Sequence, residues 1–276
     1  MSCSKYLMRS AVVSRCSWIA LLFLLPVALV RAQSSSEAPD ATVEALLRRG
    51  DALQRAFDNA AALDMYRSAY ARAPERFDVL LRMTRAHHDL AQDLLAAGSK
   101  TAAEEHFEQA VAFAEQLHAR YPDRAETYFF LAATYGNLAL FRGGKEKVRI
   151  GRAVEEYARQ ALALDTTYAL PYVALGVFYR EVSSLNWIQR TFAKVLYGGI
   201  PSGTKEDAVR MFEKALALDP SLPLAHYELA RTYLAMGRAE AARRHLERVV
   251  ALPPLTSQDR RNQEDARRRL AELQGR

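Results

Sequence analysis

The chain has few residues of the kinds that support thiol, metal or nucleophilic chemistry. Its two cysteines, Cys3 and Cys16, both lie near the N-terminus, so no later position can supply a thiolate or a structural disulfide. The six histidines form no ligand-spaced motif, and the serines lack the setting of a nucleophile elbow. The sequence therefore predicts no metal site, no cofactor and no enzymatic activity.

An excess of charge of one sign is also missing once the N-terminus is set aside. The formal net charge is +6, and Lys5, Arg9, Arg15 and Arg31 supply four of those charges. Residues 33–276 then carry 34 basic against 32 acidic groups. This near balance excludes a general polyanion-binding surface, so no nucleic-acid partner is predicted.

Residues 17–30 form the longest apolar run. The run follows three positive charges and precedes Ala32 and a polar stretch, which is the order of a secretory signal cleaved after Ala32. With 14 residues and an internal Pro26, it is short for a membrane span. The sequence predicts a signal peptide at 1–32 and an exported, periplasmic protein. An uncleaved membrane anchor and a mitochondrial presequence remain the alternatives, and no further membrane contact is predicted.

Glycine and proline are scarce, but they are placed at intervals. Pro220 and Pro254 lie 34 residues apart, and apolar and small residues recur between them at helical spacing. Leu229, Ala230 and Tyr233 occupy the positions at which a tetratricopeptide (TPR) repeat has its leucine, glycine and tyrosine. The pattern predicts pairs of helices that pack closely through small residues.

The same pattern along the chain predicts an all-α TPR-type solenoid of five helix pairs. A linker at 33–42 precedes it, and a charged capping helix at 257–276 follows it. The basic, glycine-containing stretch 141–151 is predicted to be a solvated loop, because it lacks the spacing of a phosphate-binding loop. The predicted repeats span residues 43–76, 77–124, 125–168, 169–222 and 223–256.

The concave face of such a solenoid is predicted to bind the partner. It is lined by first-helix residues that point away from the second helix of each pair. Arginines with an asparagine predict a carboxylate or an acidic peptide as ligand, whereas Asp89 and Glu181 could instead balance them as ordinary solvated charges. The predicted partner-binding residues are Arg85, His88, Asn137, Arg180, Tyr227 and Arg231.

Other aromatic and imidazole side chains receive plainer interpretations. The recurring tyrosines, such as Tyr135, Tyr179 and Tyr233, fall at core positions and are predicted to pack rather than to form a ligand cage. His87 and His88 point to different faces of one helix, which disfavours a shared metal ion. His106 is predicted to be a solvated surface residue.

The fourth repeat contains an insertion at residues 180–204. Leu185, Ile188, Phe192, Val195 and Leu196 recur at three- and four-residue intervals, which predicts an amphipathic helix. Its apolar side could plug the groove, dock a partner or touch a membrane. Burial against the neighbouring repeats is favoured, and membrane contact is the least supported because the polar face has few cations. Thr204 and Asp207 predict a capping box for the next helix.

The insertion and the start of the next helix share one longer motif. Its residues are Ser184, Leu185, Trp187, Ile188, Arg190, Ala193, Leu196, Tyr197, Gly198, Pro201, Ser202, Thr204, Glu206, Ala208 and Phe212. This motif resembles the Ser-to-Phe stretch that the regulator of microtubule dynamics family of TPR proteins carries between two TPR helices, and Gly199 and Gly203 are departures from it. The resemblance implies a helical protein that binds protein partners, with eukaryotic members associated with microtubules and mitochondria.

These observations together predict a non-enzymatic protein–protein interaction scaffold. The signal segment predicts an exported, bacterial-type member, and such a protein would meet no microtubules. The alternative is a periplasmic ligand- or peptide-binding subunit that assists a transporter or an envelope enzyme.

Overall fold

The structure, a computed structural model, describes residues 37–186, 190, 191, 194, 195 and 202–275. The predicted signal segment lies outside this part of the chain. Throughout the described residues the regular secondary structure is helical, as predicted, and residues 190, 191, 194 and 195 are helical within the insertion. The other helices are α1 Glu37–Arg55, α2 Asn59–Tyr70, α3 Phe77–Ala96, α4 Lys100–Arg120, α5 Ala125–Arg142, α6 Gly144–Leu164, α7 Ala169–Ser183, α8 Lys205–Leu218, α9 Pro223–Ala235, α10 Ala239–Ala251 and α11 Ser257–Gln274.

Consecutive helices pack as five pairs, from α1 with α2 to α9 with α10. Within four of the pairs an alanine lies in the second helix, twelve residues before a proline. Ala62, Ala110, Ala208 and Ala242 are all 0% exposed. A side chain of this size lets the two helix axes approach, so the spacing read from the prolines marks the contact between paired helices.

Two glycines in first helices make the approach closer still. A Cβ atom built on Gly50 would lie 2.4 Å from the Tyr66 ring, and one built on Gly176 would lie 2.5 Å from the Phe212 ring. Both rings are fully buried. Because non-bonded carbon atoms repel strongly at such distances, these two contacts require glycine.

Helix ends differ from the predicted boundaries in two places. α1 begins at Glu37, so residues 37–42 of the predicted linker are helical. Pro39 is compatible with this start because the first turn of a helix needs no N–H from it. The predicted loop at 141–151 is wrong, since α6 begins at Gly144 and Gly143 alone, with φ +64°, separates it from α5. One glycine with a positive φ suffices for the turn, and residues that favour helices follow it.

Tyrosines join neighbouring pairs. In three places a tyrosine hydroxyl of a first helix donates a hydrogen bond to a glutamate of the preceding pair's second helix, which agrees with a packing role for these rings. The three bonds run from Tyr135 to Glu115, from Tyr179 to Glu155 at 2.9 Å and from Tyr233 to Glu213 at 3.2 Å.

The last helix caps the stack and also returns to its beginning. Ala266, Leu270 and Leu273 of α11 belong to the apolar cluster that covers the fifth pair, as predicted for a cap. α11 also contacts α3, so that α3, α5, α7, α9 and α11 touch one another in a cycle. The sequence predicts a cap on an open stack, whereas these five helices form a closed ring.

Replacing Gly176 by alanine tests the close packing. Gly176→Ala is expected to lower the free energy of unfolding by about 2 kcal/mol, because the new methyl group collides with Phe212. Gly136→Ala is the matched control within α5, since its Cβ atom would meet nothing nearer than 3.8 Å. This control should be neutral or stabilising by up to about 1 kcal/mol. Urea unfolding of both variants makes the comparison, and equal effects would contradict the packing argument.

Candidate binding site

The ring of helices encloses a cavity of about 610 Å³. Residues of α3, α5, α6, α7 and α9 line it, together with Leu185 at the start of the insertion. A cavity of this size is typical of ligand sites and can also receive several side chains of a peptide. The large apolar residues of its wall are Phe129, Leu140, Val154, Leu170, Val173, Val177, Phe178, Val182, Leu185 and Leu224.

A charged cluster forms the polar part of the wall. Arg180 of α7 donates through Nη1 to a carboxylate oxygen of Glu228 in α9. Arg231 Nη1 lies 3.2 Å from each carboxylate oxygen of the same Glu228. Lys147 of α6 donates to Glu181 of α7. Three cations thus meet two carboxylates, and the cluster carries a formal charge of +1.

Exposure divides these cations into two roles. The Arg180 side chain is only 9% exposed and Glu228 only 11%, whereas Arg231 is 41% exposed. A buried pair of this kind holds α7 against α9, and removal of either partner would leave the other charge buried and uncompensated. Arg231 is therefore the arginine of this cluster that a ligand can reach.

The carboxylate of Glu181 stays ionised in this environment. Burial opposes its charge, but the hydrogen bond from Lys147 and the neighbouring arginines outweigh that effect and lower the pKa of the Glu181 carboxyl. The negative charge of Glu181 compensates part of the positive cluster at neutral pH. An anionic ligand would therefore meet a small net positive charge rather than three free cations.

His88 of α3 lines the cavity and has one ring nitrogen without a hydrogen-bond partner among the described residues. Its Nδ1 lies 3.1 Å from Asp89 Oδ1 and donates to that carboxylate. In the neutral ring, Nε2 is then an acceptor. Nε2 is buried and has no hydrogen-bond partner among the described residues. Because this atom has almost no accessible surface, a ligand in the cavity does not reach it in this arrangement.

The predicted partner-binding residues divide between the cavity and other places. His88, Asn137, Arg180 and Arg231 line the cavity, although Arg180 is tied to Glu228 rather than available. Asn137 Oδ1 accepts from Gln92 at 3.0 Å, which links α5 to α3. The other two predicted residues, Arg85 and Tyr227, do not belong to the lining.

Arg85 and Tyr227 interact with acidic side chains elsewhere. Arg85 Nε lies 3.5 Å from Asp89 Oδ2, one turn along α3. Tyr227 is 9% exposed, and its hydroxyl donates to Asp265 of α11 at 2.9 Å. Tyr227 therefore joins α9 to α11, and its aromatic side chain is not available to a ligand.

The middle of the insertion motif lies outside the described part of the chain. The matching residues outside the described part are Trp187, Ile188, Ala193, Leu196, Tyr197, Gly198 and Pro201. Arg190 is helical and donates to the carbonyl oxygens of Val182 at 2.9 Å and Leu185 at 3.2 Å. It thus satisfies acceptors near the C-terminal end of α7, where carbonyl groups lack helical donors.

The predicted apolar stripe of the insertion is not uniformly buried. Leu185 lines the cavity, but Val195 is 76% exposed, so burial does not extend along the whole stripe. Thr204 and Asp207 form the predicted capping box at the start of α8. As for a membrane span, none of the helices in the described ranges combines the required length with sufficient apolar character.

Two members of the charged cluster are not predicted from the sequence. The stretch around Lys147 is predicted to be a solvated loop, but the helical start of α6 carries this residue to Glu181. Glu228 is not among the predicted concave positions, although it precedes Arg231 by one helical turn. An acid and a base at i and i+3 are a recognisable pairing signal, and here the pair also holds Arg180.

The histidines form two equivalent pairs that are also absent from the sequence predictions. His87 Nδ1 lies 2.9 Å from His106 Nδ1, and His226 Nδ1 lies 2.9 Å from His245 Nδ1. His106 is therefore partly buried and bonded, not a solvated residue. The equal separation of nineteen residues in both pairs is visible in the sequence. Over the described residues, no group of three or more His, Cys, Asp or Glu is placed to hold a metal ion.

Five close-packed helix pairs around a lined concave cavity define a TPR-type solenoid, a class of protein-interaction scaffold. Within that class, the chain belongs to the family described as regulator of microtubule dynamics protein 1-3, whose model matches residues 46–274. The resemblance seen in the insertion motif is thereby confirmed.

Relatives of known name agree with this assignment. The chain is 27% identical to regulator of microtubule dynamics protein 1 of Mus musculus over 200 residues, which cover 71% of this chain and 64% of the relative. It is 29% identical to protein 3 of Xenopus laevis over 187 residues, covering 66% and 39%. With protein 2 of Bos taurus it shares 26% identity over 155 residues, covering 56% and 38%. The chain thus matches less than two thirds of the length of each of these relatives.

A solved structure supports the fold. The crystal structure of a thermophilic TPR protein in Thermus thermophilus matches with a TM-score of 0.58 and 21% sequence identity. The match covers 84% of this chain and 98% of that chain. This likeness confirms the predicted helical solenoid.

Acid is expected to destabilise the fold through the histidine pairs. Burial, helped by the charge of the partner ring and a nearby arginine, lowers the pKa of His87 to about 3 and that of His245 to about 4. The same residues in the unfolded chain bind protons near pH 6.5. Their contribution to stability is therefore complete above about pH 6.5 and is lost as the pH falls towards 4.

Unfolding in urea at pH 7.5 and pH 4.5 measures this effect. Between these pH values, the free energy of unfolding of the wild type should fall by about 1–2 kcal/mol more than that of His87→Phe or of His245→Phe. Each variant removes one imidazole that resists protonation in the folded state. His118→Phe is the control, since His118 belongs to neither pair. A pH dependence that is the same in all four proteins would rule out the pairs as its source.

Proposed function

We propose that this protein is a non-enzymatic interaction scaffold that binds an acidic, partly apolar peptide segment of a partner protein in the cavity. The observation that carries this proposal is the composition of the wall, in which apolar residues of α5 and α7 adjoin the charged cluster. Apolar side chains of the segment would lie against Phe129, Leu170 and Val177. Burial of such side chains supplies most of the binding free energy in peptide grooves.

The charged cluster would select an acidic group on the segment. Its formal charge is +1, and Arg231 is exposed enough to bind a carboxylate while it stays beside Glu228. Charge-assisted hydrogen bonds from a guanidinium to a carboxylate are among the stronger polar contacts.

A synthetic peptide tests the proposal directly. We expect a fluorescein-labelled peptide of alternating Leu and Glu to bind more tightly than the same peptide with Gln in place of Glu, as measured by fluorescence anisotropy. Arg231→Ala should weaken the Glu peptide about tenfold and leave the Gln peptide nearly unchanged. Arg180→Ala is a poor test, because it strands the buried carboxylate of Glu228 and destabilises the fold.

Arg267→Ala is the matched control for this experiment. Arg267 is exposed on α11, so its replacement makes the same change of charge away from the cavity. If Arg231→Ala and Arg267→Ala have equal effects, or if both peptides bind alike, the selection of an acidic segment is excluded.

The size of the cavity also favours one second candidate. About 610 Å³ is enough for a small acidic molecule, so the chain could instead present such a ligand to a transporter or an envelope enzyme. In that case a free dicarboxylate should displace the acidic peptide at low concentration, whereas a protein-binding scaffold requires the apolar contacts as well.

We further propose that the protein is exported and acts in the periplasm. The order of charged, apolar and small residues in segment 1–32 supports this location. The names of the relatives refer to microtubule dynamics, and for this chain a microtubule-related role is a proposal from family membership alone.

The N-terminal sequence of the expressed full-length protein distinguishes these locations. A start at Gln33 in the exported fraction is the expected result. An intact or differently trimmed chain in the cytosol or in mitochondria would contradict export. Co-sedimentation with polymerised tubulin at low salt, and its loss at high salt, would then become the result expected of a cytoskeletal role.

A further inference from the structure

The ring closes at the contact between α3 and α11, which we call the seam. Asp93, in α3, is at its centre. Its Oδ1 accepts from Ser257 Oγ and from Arg261 Nη1, both at 2.6 Å, and its Oδ2 accepts from Asn59 Nδ2 at 2.6 Å. Asn59 Nδ2 also lies 3.1 Å from Ser257 Oγ. One carboxylate thus joins the first pair, the second pair and the cap.

Phe57, in the turn between α1 and α2, adds a contact with α11 beside the seam. Phe57 has φ +64°, and among the described residues it is the one non-glycine residue with a positive φ. The guanidinium carbon of Arg260, in α11, lies 5.3 Å from the centre of its ring. Phe57 ends α1 in a left-handed turn, in which Asp58 N–H donates to the Leu53 carbonyl oxygen at 3.0 Å, and Gly98 and Gly237 occupy the equivalent turns of other pairs. Its ring thus supplies a cation–π contact with α11 that a glycine at this position would not.

The seam lacks the apolar contact found at the other joints of the cap. The apolar cluster of α11 contains residues of α9, α10 and α11, whereas the cluster of the first two pairs contains no α11 residue among those described. Separation of α11 from α3 would therefore leave both apolar clusters intact. The free-energy cost of opening consists of polar contacts and one cation–π contact, which water can largely replace.

We propose that the seam is a reversible latch. When α11 separates from α3, the ring opens between α9 and α3, and when α11 rejoins α3, the contacts of Asp93 close it again. α3 and α9 both line the cavity, so opening at this point widens access to it. The latch depends on contacts of the chain with itself. It therefore stands or falls independently of what the cavity binds.

Distances between two spin labels in the full-length chain test the latch. Cys3→Ser and Cys16→Ser remove the native thiols, and Lys100→Cys and Glu264→Cys place labels at exposed positions beside α3 and on α11. Electron–electron double resonance should show mainly one short distance. Arg261→Ala should raise the longer-distance population about tenfold, because it removes a charge-assisted hydrogen bond from Asp93.

Two further variants keep the test decisive. Asp93→Asn retains the size of the side chain and removes its charge, so it should also raise the open population even if Arg261→Ala disturbs the helix. Arg267→Ala, on the same helix and exposed, should leave the distances unchanged. Unchanged distances in both seam variants would overturn the latch, and an equal shift in Arg267→Ala would overturn it as well.

A crosslink provides the reverse test. The spin labels are attached through ketone-bearing amino acids at positions 100 and 264, so that thiols remain free for the crosslink. Asp93→Cys with Ser257→Cys, in the Arg261→Ala chain, should restore the single short distance when oxidised. Addition of a reductant should return the longer one. A long distance that persists in the oxidised form would show that the opening lies elsewhere in the ring, against the proposal.

Discussion

The close approach of the two helices in each pair is the constraint on which the rest of the structure depends. Gly176 admits the Phe212 ring and Gly50 admits the Tyr66 ring at distances that no larger residue allows. This approach fixes how far each pair turns relative to the next. The first helices surround the cavity on one side and contact their second helices on the other. The contacts on that second side therefore set the orientation of the first helices and the shape of the cavity.

Charge compensation determines which cations of the cavity are available to a ligand. Arg180 would be an attractive ligand-binding residue in isolation, but Glu228 engages it so that α7 and α9 stay together. Arg231 shares the same carboxylate and remains accessible. Both arginines thus pair with Glu228, but Arg180 has a structural role and Arg231 is accessible to a partner. This difference is visible only in the three-dimensional arrangement.

Local features were predictable from the sequence and long-range ones were not. The proline spacing and the small residues predict the helix pairs, and the side chains of Thr204 and Asp207 predict a capping box that is present. The charged cluster depends on Glu228 and Lys147, whose partners lie 48 and 34 residues away. Ring closure depends on a turn accumulated over five pairs, which no single motif encodes.

The contact of α11 with α3 changes how stability is distributed along the solenoid. An open array of repeats interacts only with nearest neighbours, so it frays at its two ends and its repeats lose structure in sequence. Here the segment after residue 256 bonds to Asn59 and Asp93, 198 and 164 residues earlier along the chain. The capping helix and the first two pairs are thus neighbours in space, and a change at one end of the stack reaches the other.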